Sequence, residues 1–345
     1  MKKLLNTLYV TNEKAYLSLD GENIVCKLED NEKFRLPFSN IENIVCFSYL
    51  GASPALMGKC AQYGIALDFL SPNGEYLASC KGKLKGNAYL RREQYNVFEN
   101  NWLSLTRNTV AAKIANTIYL IKRFIKDYPE LNNDEDIQGC LSKLKQSAES
   151  VYDIDEKDTI MGIEGNCAKA YFRIYNKLIL KQKEYFYMTE RTKRPPLDNV
   201  NAVLSFLYTI YTREYAAALT TVGLDSYFGF YHTLRSGRDS MACDMIEETR
   251  CLVERLVLTM INTKEINEKD FEKQVSGAVL LNKEGKTKVL TAWQTKKRQT
   301  IVHPYLKEKM PFGLIPFIQC SLMAKYLRNE LDEYPCFLWK QVREK

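Results

Sequence analysis

The 345-residue chain is 46% hydrophobic and 26% charged, a composition that suits two folded domains and excludes a disordered or low-complexity chain. Its formal net charge of +7 is uneven: residues 1–80 hold 7 basic and 9 acidic residues, leaving 42 and 33 for the rest, so any polyanionic partner belongs to the C-terminal part. Asn6, Thr7 and Asn12-Glu13-Lys14 interrupt the first apolar run, no run approaches a membrane span, and the ten cysteines show neither C-x-x-C nor paired spacing. A reduced, cytoplasmic protein without membrane contact is therefore expected.

Short segments rich in β-formers predict strands at Leu4–Val10, Ala15–Leu19, Ile24–Leu28, Phe34–Leu36 and Ile44–Phe47, with hairpin-like turns at Asp20-Gly21-Glu22-Asn23 and Glu29-Asp30-Asn31-Glu32. Ser53 can cap a helix that begins at Pro54 and runs to Tyr63, where Gly64 ends it. Ile65–Leu70 and Tyr76–Ala78 return to strand. This region lacks histidine and keeps its acids mostly in turns, so it reads as a scaffold or dimer interface. Lys81 to Arg92 carries five basic residues, two glycines and no acid, and the domain boundary is placed inside it, as a solvated hinge or a phosphate contact.

Beyond Tyr89 the pattern is helical: Val97–Asp127, Asp134–Tyr152, Ile160–Tyr187, Asn199–Val222, Arg238–Asn262, Glu268–Leu281 and Pro311–Leu331. The fold class expected is α+β, with a small N-terminal β domain at residues 1–85 and a larger all-α domain at 86–345. Between two helices lies Arg191-Thr192-Lys193-Arg194-Pro195-Pro196-Leu197-Asp198, where a double proline forbids helix and Arg191, Lys193 and Arg194 gather. A second basic run, Lys286, Lys288, Lys296, Lys297 and Arg298, encloses Trp293, and cations interleaved with an aromatic suit a nucleic-acid strand.

The histidine-bearing stretch Gly223–Arg250 is the densest in chemistry. His232 precedes a turn at Arg235-Ser236-Gly237, and the following helix shows an apolar stripe of Ala242, Met245, Ile246, Leu252, Val253, Leu256 and Val257. Asp244 and Glu247 share the opposite face, either as a solvated acidic face or as part of a site. In the Ile160 helix, Glu164 falls in the middle of a face made by Ile160, Cys167, Ala168, Tyr171, Tyr175 and Leu178. A carboxylate there needs compensation, from a buried arginine or a divalent cation. Glu164, His232 and one acid of the Arg238 helix would make a mixed N/O site suited to Mg²⁺ or Mn²⁺. Asp244 and Glu247 stand about 4.5 Å apart along the helix axis, so spacing permits either one.

The pieces Gly162-Ile163-Glu164-Gly165, Arg194-Pro195-Pro196-Leu197-Asp198-Asn199-Val200-Asn201, Gly223-Leu224-Asp225, Gly229-Phe230-Tyr231-His232 and Gly237-Arg238-Asp239-Ser240-Met241-Ala242-Cys243-Asp244-Met245-Ile246-Glu247-Glu248 together resemble, in order and spacing, the CRISPR-associated endonuclease that acts as the spacer-acquisition integrase, in the form found in subtype I-C systems. The resemblance covers essentially the whole chain. It implies a homodimer formed through the β domain, dimers assembled around a small ferredoxin-like CRISPR-associated partner in a heterohexamer, and metal-dependent joining of short double-stranded DNA into the repeat array. Carried over by position, the metal ligands fall on Glu164, His232 and Glu247, with Asp244 an additional acid. Arg191, Lys193, Arg194, Arg238, Lys296, Lys297 and Arg298 are the expected DNA contacts, working through the phosphate backbone. The alternatives are a stand-alone metal nuclease for branched DNA, or a non-catalytic DNA-binding scaffold.

Overall fold

The computed structural model describes residues 6–29, 31–80 and 88–339. The expected strand positions Leu4 and Leu5, the turn residue Asp30 and linker residues 81–87, where the domain boundary was placed, lie outside this set.

The N-terminal region contains β1 (Thr7–Val10), β2 (Ala15–Asp20), β3 (Asn23–Leu28), β4 (Asn31–Pro37), β5 (Asn43–Cys46), α1 (Pro54–Tyr63), β6 (Ala66–Leu70) and β7 (Tyr76–Cys80). Strands β2, β3 and β4 form an antiparallel sheet, and Gly21 at φ +56° supplies the left-handed turn between β2 and β3. The second sheet has the order β1-β5-β6-β7. Strands β1, β5 and β6 run parallel and β7 antiparallel. Parallel neighbours need a crossover, and between β5 and β6 it is α1. That helix is delimited as its sequence suggests, with Ser53 Oγ accepting the Leu56 N–H at 3.2 Å and Gly64 ending it at φ +71°.

Alternation along β5 joins this unit to the rest of the molecule. Ile44 and Cys46 face inward among Leu17, Ile24, Leu56 and Leu67, whereas Val45 and Phe47 face the helical core. There the Phe47 ring stacks on Phe206 with centroids 5.8 Å apart.

The second region contains α2 (Ala88–Asn100), α3 (Trp102–Asp127), α4 (Glu135–Ser150), α5 (Lys157–Leu178), α6 (Asn199–Val222), α7 (Ser240–Glu247) and α8 (Arg250–Asn262). These are followed by β8 (Phe271–Lys273), β9 (Val279–Leu281), α9 (Lys283–Arg298), β10 (Thr300–Val302), β11 (Lys309–Pro311) and α10 (Ile315–Leu327). Helix α6 is the axis: it is capped by Asp198, whose carboxylate accepts the Asn201 N–H at 2.8 Å, and ended by Gly223 at φ +91°. It is buried on nearly every face and packs against α7, α8 and α10.

The domain is helical but not all-α. The Glu268–Leu281 stretch, expected as helix, is a single 3₁₀ turn followed by the β8–β9 hairpin, because Gly277 at φ +83° turns the chain back. A second hairpin pairs β10 with β11. The Arg238–Asn262 helix is in fact two. The carbonyl of Glu248 accepts from Asn116 Nδ2 at 2.7 Å, and the Glu248 carboxylate is drawn inward to Tyr334, Gln319 and the Phe337 N–H, which breaks the ladder between α7 and α8. Helix α5 stops at Leu178 because Asn262 caps it, donating to the Leu178 carbonyl at 2.9 Å and accepting the Leu180 N–H at 2.7 Å.

Candidate active site

Three separate segments bring Glu164, His232, Asp244 and Glu247 together. Glu164 projects from α5, His232 from the loop between α6 and α7, and the two acids from α7. Asp244 and Glu247 do not form a solvated face: their side chains are 0% and 3% exposed, because α7 is enclosed by α3, α6 and α10. The apolar stripe read from sequence was real, but the opposite face is buried as well.

The histidine loop is built before the histidine is placed. Gln94 of α2 donates to the carbonyls of Asp225 and Phe228, both at 2.8 Å, and accepts the Asp225 N–H at 2.9 Å. Asp239 accepts from Ser226 Oγ at 2.7 Å and pairs with Arg213. Asp244 then takes the N–H groups of Tyr231 and His232 at 2.9 and 3.0 Å, and its Oδ1 lies 2.6 Å from His232 Nδ1. A carboxylate only accepts, so Nδ1 carries the proton and Nε2 presents its lone pair outward. That Nε2 lies 3.9 Å from Glu247 Oε1.

Two cations absent from the sequence-based site complete it. Lys113 of α3, whose side chain is 16% exposed, contacts Glu164 Oε1 and lies 2.5 Å from Glu247 Oε2. Arg250, at the start of α8, pairs with Glu247 Oε1 and lies over the Tyr208 ring at 4.5 Å. Burial alone would raise the Glu247 carboxyl, but Arg250 and Lys113 outweigh it and hold the group well below the usual carboxylate range. The same balance runs in reverse on Lys113, where Glu247 and Glu164 overcome desolvation and raise its pKa. Glu247 Oε2 is buried, with the Lys113 ammonium as its ion-pair partner. Among the described residues no three histidine, cysteine or acidic side chains already share a coordination point. The two glutamates meet instead at the ammonium.

The expected DNA contacts divide by environment. Lys193, Arg194 and Arg298 are exposed. The Lys193 ammonium is pushed down, first by desolvation and then by the charges of Arg250 and Arg191. Arg238 is half-buried and hydrogen-bonds Cys243. Lys296 donates to Gln299 at 2.8 Å, lies over the Phe312 ring at 5.1 Å, and is pushed down to about 8 by burial.

Two expected DNA contacts and one expected stacking surface have other surroundings. Lys297 is 2% exposed and pairs with Glu214 at 2.7 Å, so its charge faces the interior. Arg191 spends its guanidinium on Asn201 Oδ1 at 2.7 Å, on Ser205 Oγ at 3.2 Å and on the Thr192 carbonyl, holding the double-proline loop to α6. Trp293, expected between the cations as a stacking surface, is fully buried and packs on Tyr211. The other histidine, His303, is buried in a separate network, with Nε2 3.0 Å from Gln319 Oε1.

A helical domain that gathers two glutamates and an oriented imidazole beside exposed cations is the framework of a nucleic-acid enzyme. The sequence model described as CRISPR associated protein Cas1 matches residues 8–295. The CRISPR-associated endonuclease Cas1 1 of Chlorobaculum tepidum is 40% identical over 343 residues, covering 99% of this chain and all of that protein. The CRISPR-associated endonuclease Cas1 2 of Rhodospirillum rubrum is 39% identical over 348 residues at the same coverage. Among solved structures, a casposase bound to integration product superimposes with a TM-score of 0.83 at 21% identity, covering 99% of this chain and 96% of that one. A Cas1 protein from Thermotoga maritima gives 0.80 at 21% identity, covering 94% and 97%. The chain belongs to the Cas1 family of CRISPR-associated endonucleases.

Proposed function

We propose that this protein is a metal-dependent DNA endonuclease and integrase that inserts short double-stranded DNA into a CRISPR array by attack of a DNA 3′-hydroxyl on a phosphodiester. The observation that carries the reading is that Glu164 and Glu247, from two separate helices, meet at one cationic position while His232 Nε2 lies 3.9 Å from Glu247 Oε1. Two carboxylates and an imidazole nitrogen form a donor set suited to Mg²⁺ or Mn²⁺, and the two carboxylates already gather around one positive charge. Glu164, His232 and Glu247 would hold the ion, which when bound supplies polarisation of the phosphate and neutralisation of developing charge.

The chain's own residues do the remaining work. Asp244 fixes the His232 tautomer and ring direction, as partners behind a metal-ligating histidine do. Arg250 keeps Glu247 ionised. Lys193, Arg194 and Arg298, exposed cations, would contact the duplex backbone without reading sequence.

The wider reading follows the relatives. Similar folds include a casposase captured with its integration product and a Cas6-RT-Cas1–Cas2 complex, which support strand joining and a small Cas2-type partner for this chain. The reading extends to a homodimer through the N-terminal β region, dimers assembled around that partner as a heterohexamer, the subtype I-C form and a cytoplasmic location. Among the described residues no helix is long and apolar enough to cross a membrane.

The test is a joining assay with Mg²⁺ or Mn²⁺ on duplexes carrying a free or a blocked 3′ end. Integration consumes the hydroxyl, so products should appear only with the free end. Equal cleavage with both ends would identify a hydrolytic nuclease instead. Metal-independent binding without any product would identify a scaffold.

A further inference from the structure

Lys113 has no role in phosphodiester chemistry as set out above, yet it occupies the centre of the site. Its ammonium is the partner of Glu164 Oε1 and lies 2.5 Å from Glu247 Oε2, and its side chain is only 16% exposed. The stem comes from a stretch of α3 with little polarity of its own, Val110-Ala111-Ala112-Lys113-Ile114, of which Val110, Ala112 and Ile114 are buried. A lysine in such a place is costly to desolvate unless it is paired.

The two oxygens of Glu247 are served differently. Oε1 has Arg250, three residues further along the chain and braced on Tyr208. Oε2 has the Lys113 ammonium at 2.5 Å. Arg250 is thus the partner of one oxygen, and Lys113 the partner of the other, shared with Glu164.

We propose that Lys113 is a built-in counter-cation which holds Glu164 and Glu247 together in the metal-free protein and is displaced when a divalent ion binds, an inference that rests on the metal-binding role proposed for those glutamates. One univalent ammonium cannot share both carboxylate oxygens with a divalent ion at contact distance, because like charges so close repel strongly in a buried site. The long, flexible lysine stem lets the ammonium withdraw along the rim, where a planar, bidentate guanidinium would stay in place. Lys113 is then a positioning residue: it lowers metal affinity and stabilises the apo site.

Calorimetric Mn²⁺ titration and thermal unfolding with and without Mn²⁺ test this on the full chain, comparing wild type, Lys113→Met and Lys113→Arg. Lys113→Met should bind Mn²⁺ about 5- to 150-fold more tightly, the usual range for coupling between competing ligands. It should also unfold at a lower temperature without metal and gain more from metal than wild type does. Lys113→Arg should bind more weakly than wild type. Should Lys113→Met fail to fold, the arginine variant decides alone, and unchanged or tighter binding by it overturns the inference. Unchanged or weaker binding by Lys113→Met, with wild type still binding, also overturns it and leaves the metal reading standing. Absence of Mn²⁺ binding in all three overturns the metal reading itself, and this inference with it.

Discussion

Gly229 lies directly against the carboxylate of Asp244. A Cβ at position 229 would fall 2.9 Å from the Ser240 carbonyl carbon and closer still to Asp244 Oδ2. Only a hydrogen atom fits between the histidine loop and α7, which is what lets Asp244 reach the Tyr231 and His232 N–H groups. Gly229→Ala should therefore push the loop away from α7. The stability cost should be about 1–3 kcal/mol, typical of overpacking, read by urea unfolding. Joining activity should fall with it, and an alanine variant of unaltered stability and activity would show that the loop is not seated this way.

The basic residues should separate into two groups. Lys193, Arg194 and Arg298 are exposed, and each alanine replacement that removes a phosphate contact should lower the slope of log K against log salt by roughly one for all DNA sequences alike. Lys297→Ala should leave that slope unchanged. It strands Glu214 beside Trp293 Nε1 and should cost about 3–5 kcal/mol of stability, as removal of one partner from a buried pair does. Salt-dependent binding isotherms and chemical unfolding of the same variants distinguish the groups.

His303 supplies a pH dependence. Desolvation holds its pKa below the ordinary value of 6.5, while Gln319 opposes the shift and Lys307 adds to it. A histidine depressed in the folded state contributes stability that is present above its unfolded pKa. That contribution is lost as pH falls from about 6.5 towards the lower folded value, at up to about 1.4 kcal/mol per pH unit. His303→Gln should flatten this part of the stability profile in unfolding measurements between pH 7 and 5. An equally steep acid loss in the variant would assign the effect to other groups.

Much of the site could be read from residues alone because burial leaves a mark on pattern. Glu164 stands out as a carboxylate on an apolar face, and Asp244 and Glu247 stand out by their three-residue spacing; the structure brings the two acids of α7 beside His232 and joins Glu164 to Glu247 through Lys113. The sequence offered arginine or a metal as compensation for Glu164, and the structure supplies a lysine. Lys113 carried the same mark as Glu164, a charge within an apolar helix stretch, but a single lysine among many is easily taken as solvated. Arg250 carries a readable signal, the three-residue spacing from Glu247 that puts both on one helix face, but spacing alone does not tell a buried pair from a solvated one.

The fold misses have equally local causes. Helix α9 escaped notice because lysines crowd it, although Val289, Leu290, Trp293 and Lys297 share its buried face and Asn282 caps it. The same crowding made Trp293 and Lys297 look like a nucleic-acid surface. The β8–β9 hairpin reads as helix in sequence because its apolar residues suit both periods, and Ser276-Gly277 alone marks the turn.

Glu247, with Glu164 and His232, is proposed to hold the catalytic ion while Asp244 acts behind His232. Calorimetric titration of Glu247→Ala and Asp244→Asn with Mn²⁺ separates the two acids. Glu247→Ala should lose measurable metal binding, whereas Asp244→Asn should keep it at an affinity about 10- to 100-fold lower, the usual cost of losing a partner behind a ligand. Binding retained by Glu247→Ala but abolished in Asp244→Asn would contradict the claim and exchange the two acids' roles.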